Sequence, residues 1–434
     1  MSQPETVVDL EKNDPDAGKS VEQLLNERNT RVMTALQLGK PDRVPILLGM
    51  GYMLAEMGGI TKQELYEDPE RAQELLEEAA LYYQPDLIMG AWHSPGMSKA
   101  LGDRMTKWPG LGLGPNGSFQ FNEKEFMKAE DYDAFLEDPA DWAIRTYLPR
   151  AFTELEGLAM LPPLGMSLFG YYGMFLNSHV MLAPPVVSAF KAINEAAVAQ
   201  LEWLGQMGAS AERLAALGIP PFFLLTNMCE APFDFMSDTL RGMRGIFLDM
   251  MRIPDKLLAA EEKVSRFQIE FVLNAVKATN IPFVFIPLHR GSDGFMSLAQ
   301  FEKFYWPQLK DMMLEFIDNG ITPWCYYEGV WDERLEYLAE LPKGKSAGSF
   351  QDSDIFKVKE VVGDTMAIMG GMPPSMLMPG MPAEAVRELT QKLCEEVGKD
   401  GGYIMANSVM ELEGCSPELV KTWVDATKEY GAEL

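Results

Sequence analysis

The run Pro282-Phe283-Val284-Phe285-Ile286-Pro287-Leu288, followed by His289-Arg290-Gly291-Ser292-Asp293-Gly294, decides the fold. An uninterrupted apolar run of this length reads as a strand buried on both faces, the pattern of a parallel sheet rather than of a half-exposed antiparallel one. The polar, glycine-containing stretch that stops it is a loop. Downstream, the pattern predicts a helix over about 298–319, ended at Gly320, and then Ile321-Thr322-Pro323-Trp324-Cys325-Tyr326-Tyr327 as the next strand. Upstream, Leu257, Ala260, Val264, Phe267 and Phe271 are spaced 3, 4, 3 and 4 and draw one apolar helical stripe. Helix, strand, helix, strand in this order implies right-handed βαβ units.

The alternation continues outward in both directions. A helix is expected from about 20 to 38, ended at Gly39, before the strand Val44-Pro45-Ile46-Leu47-Leu48. Residues 68–83 read as a helix with Asp68 as cap and Pro69 at its first position, before the strand Asp86-Leu87-Ile88-Met89-Gly90. Phe222-Phe223-Leu224-Leu225 is a further apolar run. Val386, Leu389, Leu393 and Val397 form another helical stripe, stopped at Gly398, and Gly401-Gly402-Tyr403-Ile404-Met405 starts the last strand. The expected fold is an α/β (β/α)8 TIM barrel with an N-terminal helical extension and an insertion near 100–165. Residues 1–20 read as a loose acidic arm, and 21–434 as a single barrel domain.

Composition limits function. The chain has 434 residues and a formal net charge of −27. Such a surface repels phosphate backbones and anionic lipid, so neither nucleic acid nor membrane is an expected partner. Its four cysteines, Cys229, Cys325, Cys394 and Cys415, are far apart with no Cys-x-x-Cys pair, which suits a reducing, cytoplasmic setting. The opening MSQPETVVDLEKNDPD lacks the basic and apolar regions of a secretory signal.

In such a barrel, chemistry belongs at the C-terminal ends of the strands. That rule selects His289, Arg290 and Asp293 after one strand, and Tyr326 and Glu328 at the end of the next. It also selects Asn227 and Glu230 after the run at 222–225, and His93 after Leu87-Ile88-Met89-Gly90-Ala91-Trp92. Met405 stands in a methionine-rich group with Met366, Met369, Met372 and Met410, and soft side chains of that kind suit a flat apolar substrate or an ordinary core. Cys325 and Tyr326 alternate, so only one of them faces inward. A histidine such as His289 can accept or donate a proton near neutrality, and Glu328 is a candidate base or ligand.

The order and spacing of several segments resemble the uroporphyrinogen decarboxylase superfamily, from about residue 27 onward. They are Arg31-Val32-Met33-Thr34-Ala35-Leu36, Lys40-Pro41-Asp42-Arg43-Val44-Pro45, the stretch from His289 to Ser297, Phe301-Glu302-Lys303-Phe304-Tyr305-Trp306-Pro307, Glu328-Gly329, Leu341-Pro342-Lys343-Gly344 and Gly401-Gly402-Tyr403-Ile404. The resemblance implies a (β/α)8 barrel. Decarboxylases of that family carry an arginine-rich segment after the first strand, where this chain reads Leu48-Gly49-Met50-Gly51-Tyr52-Met53. The resemblance therefore points to the corrinoid-dependent methyltransferase branch. Its members move a methyl group between a small substrate (aryl methyl ether, amine or thiol) and a cobalamin-type corrinoid carried by a partner protein. In that branch a zinc ion is held by a His-x-Cys-Gly motif and a later cysteine. Here those positions fall on Tyr326-Tyr327-Glu328-Gly329 and near Val409, so only Glu328 keeps a ligand-type side chain. A rearranged zinc set of Glu230, His289 and Glu328, or chemistry without metal, remain as the two options.

The expected site thus has Glu328, His289 and Tyr326 as catalytic groups, with His93, Asn227, Arg290, Asp293 and Met405 around the substrate. The expected partners are a small molecule, a corrinoid protein and a second copy of the chain. The alternatives are a decarboxylase or lyase using Arg290, Arg241 and Arg244, and a catalytically silent binding protein on the same scaffold.

Overall fold

A computed structural model describes residues 16–91, 93–223 and 227–432. The described chain forms two compact units. One comprises Met1–Trp92, Gly208–Ala231 and Phe267–Leu434, the other His93–Met207 and Pro232–Arg266. No helix among the described residues is long and apolar enough to cross a membrane.

Strands are numbered along the chain as β1 (Ile46–Gly49), β2 (Leu87–Met89), β3 (Thr106–Pro109), β4 (Gly112–Leu113), β5 (Gln120–Phe121), β6 (Phe283–Leu288), β7 (Thr322–Tyr327), β8 (Ala347–Phe350), β9 (Ala367–Met372) and β10 (Tyr403–Asn407). In the first unit seven parallel strands curl in the order β2-β1-β10-β9-β8-β7-β6. An eighth position lies beside β6. Met228 bridges Phe285 in parallel, the Phe285 N–H donates to Asn227 O (2.8 Å), and the Cys229 N–H donates to Phe285 O (3.1 Å). This is the TIM-like order expected from the alternation. Of the expected run at 222–225, Leu224 and Leu225 lie outside the described residues, and the pairing is seen at 227–229.

Alternation along the strands sorts side chains between two faces. Leu47, Phe283, Phe285, Trp324, Tyr326 and Met369 point inward and share one core with Ala347, Ala367, Ile404 and Ala406. Val32, Ala35 and Leu36 of the helix Val21–Leu36 join that core. They meet it beside the first residues of the strands and so close its N-terminal end. This helix starts at a capping box of Ser20 and Gln23, which satisfies two otherwise orphaned N–H groups. The expected helix at 68–83 is Pro69–Tyr83, capped by Asp68.

The same end of the barrel holds a buried ion-pair network. Asp86, fully buried just before β2, accepts from Arg31 (2.5 Å), Arg43 (2.7 Å) and the Ile46 N–H (2.8 Å). Arg28 binds Asp16 (3.1 Å), and Arg31 also binds Asp42 (2.6 Å). Buried charges persist only when paired, and here acids and bases interleave. The residues Arg31, Asp42 and Arg43, which carry part of the family resemblance, thus brace the end of the barrel away from the strand tips.

The helix Pro254–Thr279 departs from the expected stripe. Leu257, Ala260 and Val264 are buried, but Phe267 and Phe271 are 36% and 65% exposed. Gln268 and Val272 take the inward positions instead. The cause is a polar fastening: the Gln268 side-chain amide accepts from the Glu230 N–H (2.9 Å) and donates to Glu230 O (3.0 Å).

The second unit contains β3 with β4 and β5, and packs Leu101, Leu155, Leu158, Val186, Ala189 and Ala192 into its own core. The insertion expected near 100–165 belongs to this larger unit. Within it, Arg241 binds Asp249 and the Met127 carbonyl, and Tyr132 donates to Asp249 (2.9 Å).

Candidate active site at the strand tips

Register brings the first pair together. β6 and β7 run parallel with Leu288 opposite Tyr327, so the next residues, His289 and Glu328, emerge side by side. His289 Nε2 lies 3.3 Å from Glu328 Oε2. Gly329 adopts φ +76°, a left-handed turn that a β-carbon would strain, and it sends the chain away immediately after Glu328. The Trp331 indole N–H donates to Glu328 O (2.9 Å) and fixes that turn. The Glu328 side chain is half exposed and that of His289 a quarter exposed, so solvent-borne molecules reach both.

Of the alternating pair, Tyr326 faces inward and Cys325 outward, where the cysteine contacts Met313 Sδ at 3.9 Å. The Tyr326 hydroxyl lies 3.1 Å from Gln351 Oε1 and 3.3 Å from Ser408 O. Those residues follow β8 and β10, so one phenol links three strand tips. Burial, then the negative charges of Glu328 and Asp352, raise its pKa well above the ordinary tyrosine value. It stays a neutral hydroxyl donor near neutrality.

A carboxyl not selected from the sequence follows Ser408 three residues on. Glu411 follows β10, and burial, then the charge of Glu413, push its carboxyl up to about 7. Gly51 packs so closely on it that a β-carbon there would meet Glu411 Cβ at 2.2 Å. The strand-tip rule that selected Glu328 also covers Glu411, four residues beyond the end of β10.

The other expected residues are placed differently. Asn227 donates to the carbonyls of Ile281 and Phe283 (both 2.9 Å), at the start of β6 rather than at its tip. Asp293 accepts from the Glu333 N–H (3.0 Å) and lies 3.5 Å from Arg334, tying its loop to the following turn. Burial raises the Asp293 pKa. Arg290 lies over the Phe295 ring at 4.8 Å. Met405 is fully buried beside the Tyr403 hydroxyl (3.2 Å), on the face opposite the inward Ile404 and Ala406, while Met410 packs on the interior. His93 belongs to the second unit, against Trp108 (4.8 Å) and Phe119 (4.7 Å), where burial pushes it down to about 4 and keeps the imidazole neutral.

A zinc ion of the kind the resemblance implies needs three or four protein ligands. His289 and Glu328 supply two. Glu230 is fastened through its backbone to Gln268, and among the described residues no group of three His, Cys, Asp or Glu side chains is arranged to hold a metal ion. The four thiols are buried, and burial pushes Cys325 up to about 12 and Cys415 up to about 11, opposite to what a ready thiolate ligand requires. Among the described residues the donor set does not fit zinc.

Parallel strands closed at one end by a helix and ionisable groups gathered at the other define the chain as an α/β barrel of the TIM type. Residues 180–430 match the family model described as uroporphyrinogen decarboxylase (URO-D), which spans more than half of the chain. The chain belongs to that family. Among solved structures, a methyltransferase from Methanosarcina mazei superposes with a TM-score of 0.58 at 16% identity, covering 93% of this chain and 98% of that one. At that identity the likeness establishes the fold. No curated protein matches the chain.

Proposed function

We propose that this protein transfers a methyl group between a small methylated substrate and a corrinoid carried by a partner protein. The observation that carries the reading is the solvent-accessible His289–Glu328 pair at adjoining strand tips, with the Tyr326 hydroxyl, two residues before Glu328, 3.3 Å from Ser408 O. Membership of the URO-D family and a methyltransferase as fold neighbour support it. The loop after β1 supports it against decarboxylation: Met50, Tyr52 and Met53 are buried and apolar where carboxylates would need arginines. Arg241, a candidate carboxylate clamp, is already bound to Asp249 and Glu125.

When bound, the partner's reduced corrinoid supplies a two-electron nucleophile for the methyl carbon. The bond from that carbon to oxygen, nitrogen or sulfur breaks, and its electron pair stays on the heteroatom. That atom leaves more readily when it takes a proton, the task of a general acid. Glu328 and His289, 3.3 Å apart at the open rim, are placed to pass that proton to the leaving atom. Tyr326, kept neutral, offers a hydroxyl donor, and Glu411 retains its own proton up to about pH 7. In the reverse direction the same groups accept the proton.

The test is incubation of the purified protein with reduced corrinoid and a panel of methylated phenols, amines and thiols. Methylated corrinoid is expected from at least one class. None from any class, with either free or protein-bound corrinoid, contradicts the reading.

A further inference from the structure

The second unit has a cavity of its own, about 830 Å³, between residues 123–130 and the helix Gly242–Arg252. Small-molecule sites usually enclose roughly 300–1,000 Å³. The charge of this cavity departs from that of the chain. Acids outnumber lysines and arginines 64 to 37 overall, yet five of the nine charged residues lining the cavity are cations. Two of the five are bound to acids of the chain: Arg241 to Asp249 and Glu125, and Lys128 to Glu125 at 3.1 Å. Lys124, Arg244 and Arg252 form no ion pair among the described residues, against a single acid in that condition, Glu130. Cations scattered over a surface are simply hydrated, but three that converge on one concavity raise the potential inside it and draw anions.

The chain itself displays what the donors of this cavity accept. The Met243 N–H, in the first turn of the helix, donates to Glu123, and Arg241 donates to Glu125 (2.6 Å). Both carboxylates belong to exposed residues of one short segment, so an incoming oxyanion can take their place without opening the core. We propose that this cavity binds a small organic molecule bearing two or more oxyanion groups, carboxylate or phosphate, with Lys124, Arg244 and Arg252 as its counter-charges. A guanidinium meets either kind of oxyanion through paired N–H donors. Met243, Leu248 and Ile253 line the same cavity and can cover an apolar body between the charged ends. A phosphate backbone is the poorer occupant, because the whole chain, at net charge −27, repels it. The cavity lies wholly within the second unit, so this site stands whether or not the protein transfers methyl groups.

The experiment is isothermal titration calorimetry of the full chain with three probes at matched ionic strength: citrate for carboxylates, ATP for phosphates, and sulfate as a bare oxyanion. Citrate or ATP is expected to bind at one site with a Kd below about 1 mM, and sulfate at least about tenfold more weakly. Which of the two binds decides the class of oxyanion. Arg244→Glu with Arg252→Glu is expected to raise that Kd at least about tenfold. Glu123→Gln, which removes the competing charge, is expected to lower it about two- to fivefold. Arg266→Glu, at an exposed cation outside the cavity, is expected to leave it unchanged. All four positions are exposed, and circular dichroism melting checks that the variants fold as the parent does. No binding of either citrate or ATP, sulfate binding as tightly as they do, a Kd that Arg244→Glu with Arg252→Glu leaves unchanged, or one that Glu123→Gln raises overturns the inference.

Discussion

Asp86 and Glu411 are both carboxyls held inside the barrel unit, and their surroundings push them in opposite directions. Asp86 sits where the strands begin, and although burial alone would raise it, Arg43, Arg31 and Arg28 hold it below the ordinary carboxylate range. Glu411 sits where the strands end. It meets another acid, Glu413, and rises to about 7. The chain therefore neutralises charge at one end of its barrel and keeps proton-holding groups at the other. The first arrangement gives buried charges partners. The second leaves titration near neutral pH, which is where an acid–base catalyst works best. The difference separates residues that hold the scaffold from residues that act through it, although both kinds are polar.

The contrast breaks first at Asp86. Asp86→Ala leaves Arg31 and Arg43 buried without their shared acid and is expected to cost about 3–5 kcal/mol. Denaturant unfolding measures it, and a loss below about 1 kcal/mol would mean the network is not what braces that end. A smaller change of opposite sign is expected at Glu411. Its folded value lies above the ordinary one near 4.5, so the folded form keeps a proton that the unfolded chain releases between about pH 4.5 and 7. Stability falls as pH rises through that window, and the penalty is complete above it. Glu411→Gln removes the penalty. It is expected to stabilise the protein at pH 8 by on the order of 1–3 kcal/mol and to leave it unchanged at pH 4. Equal stabilisation at both pH values would sink this account of Glu411.

Parts of this were legible from residues alone for identifiable reasons. β6 and β7 announce themselves because their apolar side chains run without interruption, the usual pattern of strands buried on both faces. β8 and β9 do not. Ala347-Gly348-Ser349-Phe350 and Ala367-Ile368-Met369-Gly370-Gly371-Met372 are small-residue runs with little strand signal. Their smallness is a packing requirement: a β-carbon on Gly348 would meet the Tyr327 ring at 2.8 Å, and Ser349 accepts from the Trp324 indole at 2.8 Å. The helical stripe through Phe267 and Phe271 misleads because the polar Gln268 claims the inward position.

The candidate site divides in the same way. Glu328 and His289 follow two legible strands, and parallel register alone places them side by side. Glu411 follows an equally legible strand but stands among Met410, Leu412 and Glu413, where nothing in the sequence reveals that the neighbouring Gly51 loop buries it. Asn227 satisfies the strand-tip rule by position, yet its amide turns back toward the start of β6.

Glu328→Gln is the most direct test, read in two ways on one preparation: the rate of methyl transfer to reduced corrinoid and the denaturant midpoint. The substitution keeps the shape of the half-exposed side chain and removes its proton chemistry. The rate is expected to fall about 10²–10⁴-fold while stability stays within about 0.5 kcal/mol. A variant that transfers methyl groups as fast as the parent would contradict the account, and so would one that loses activity only by unfolding.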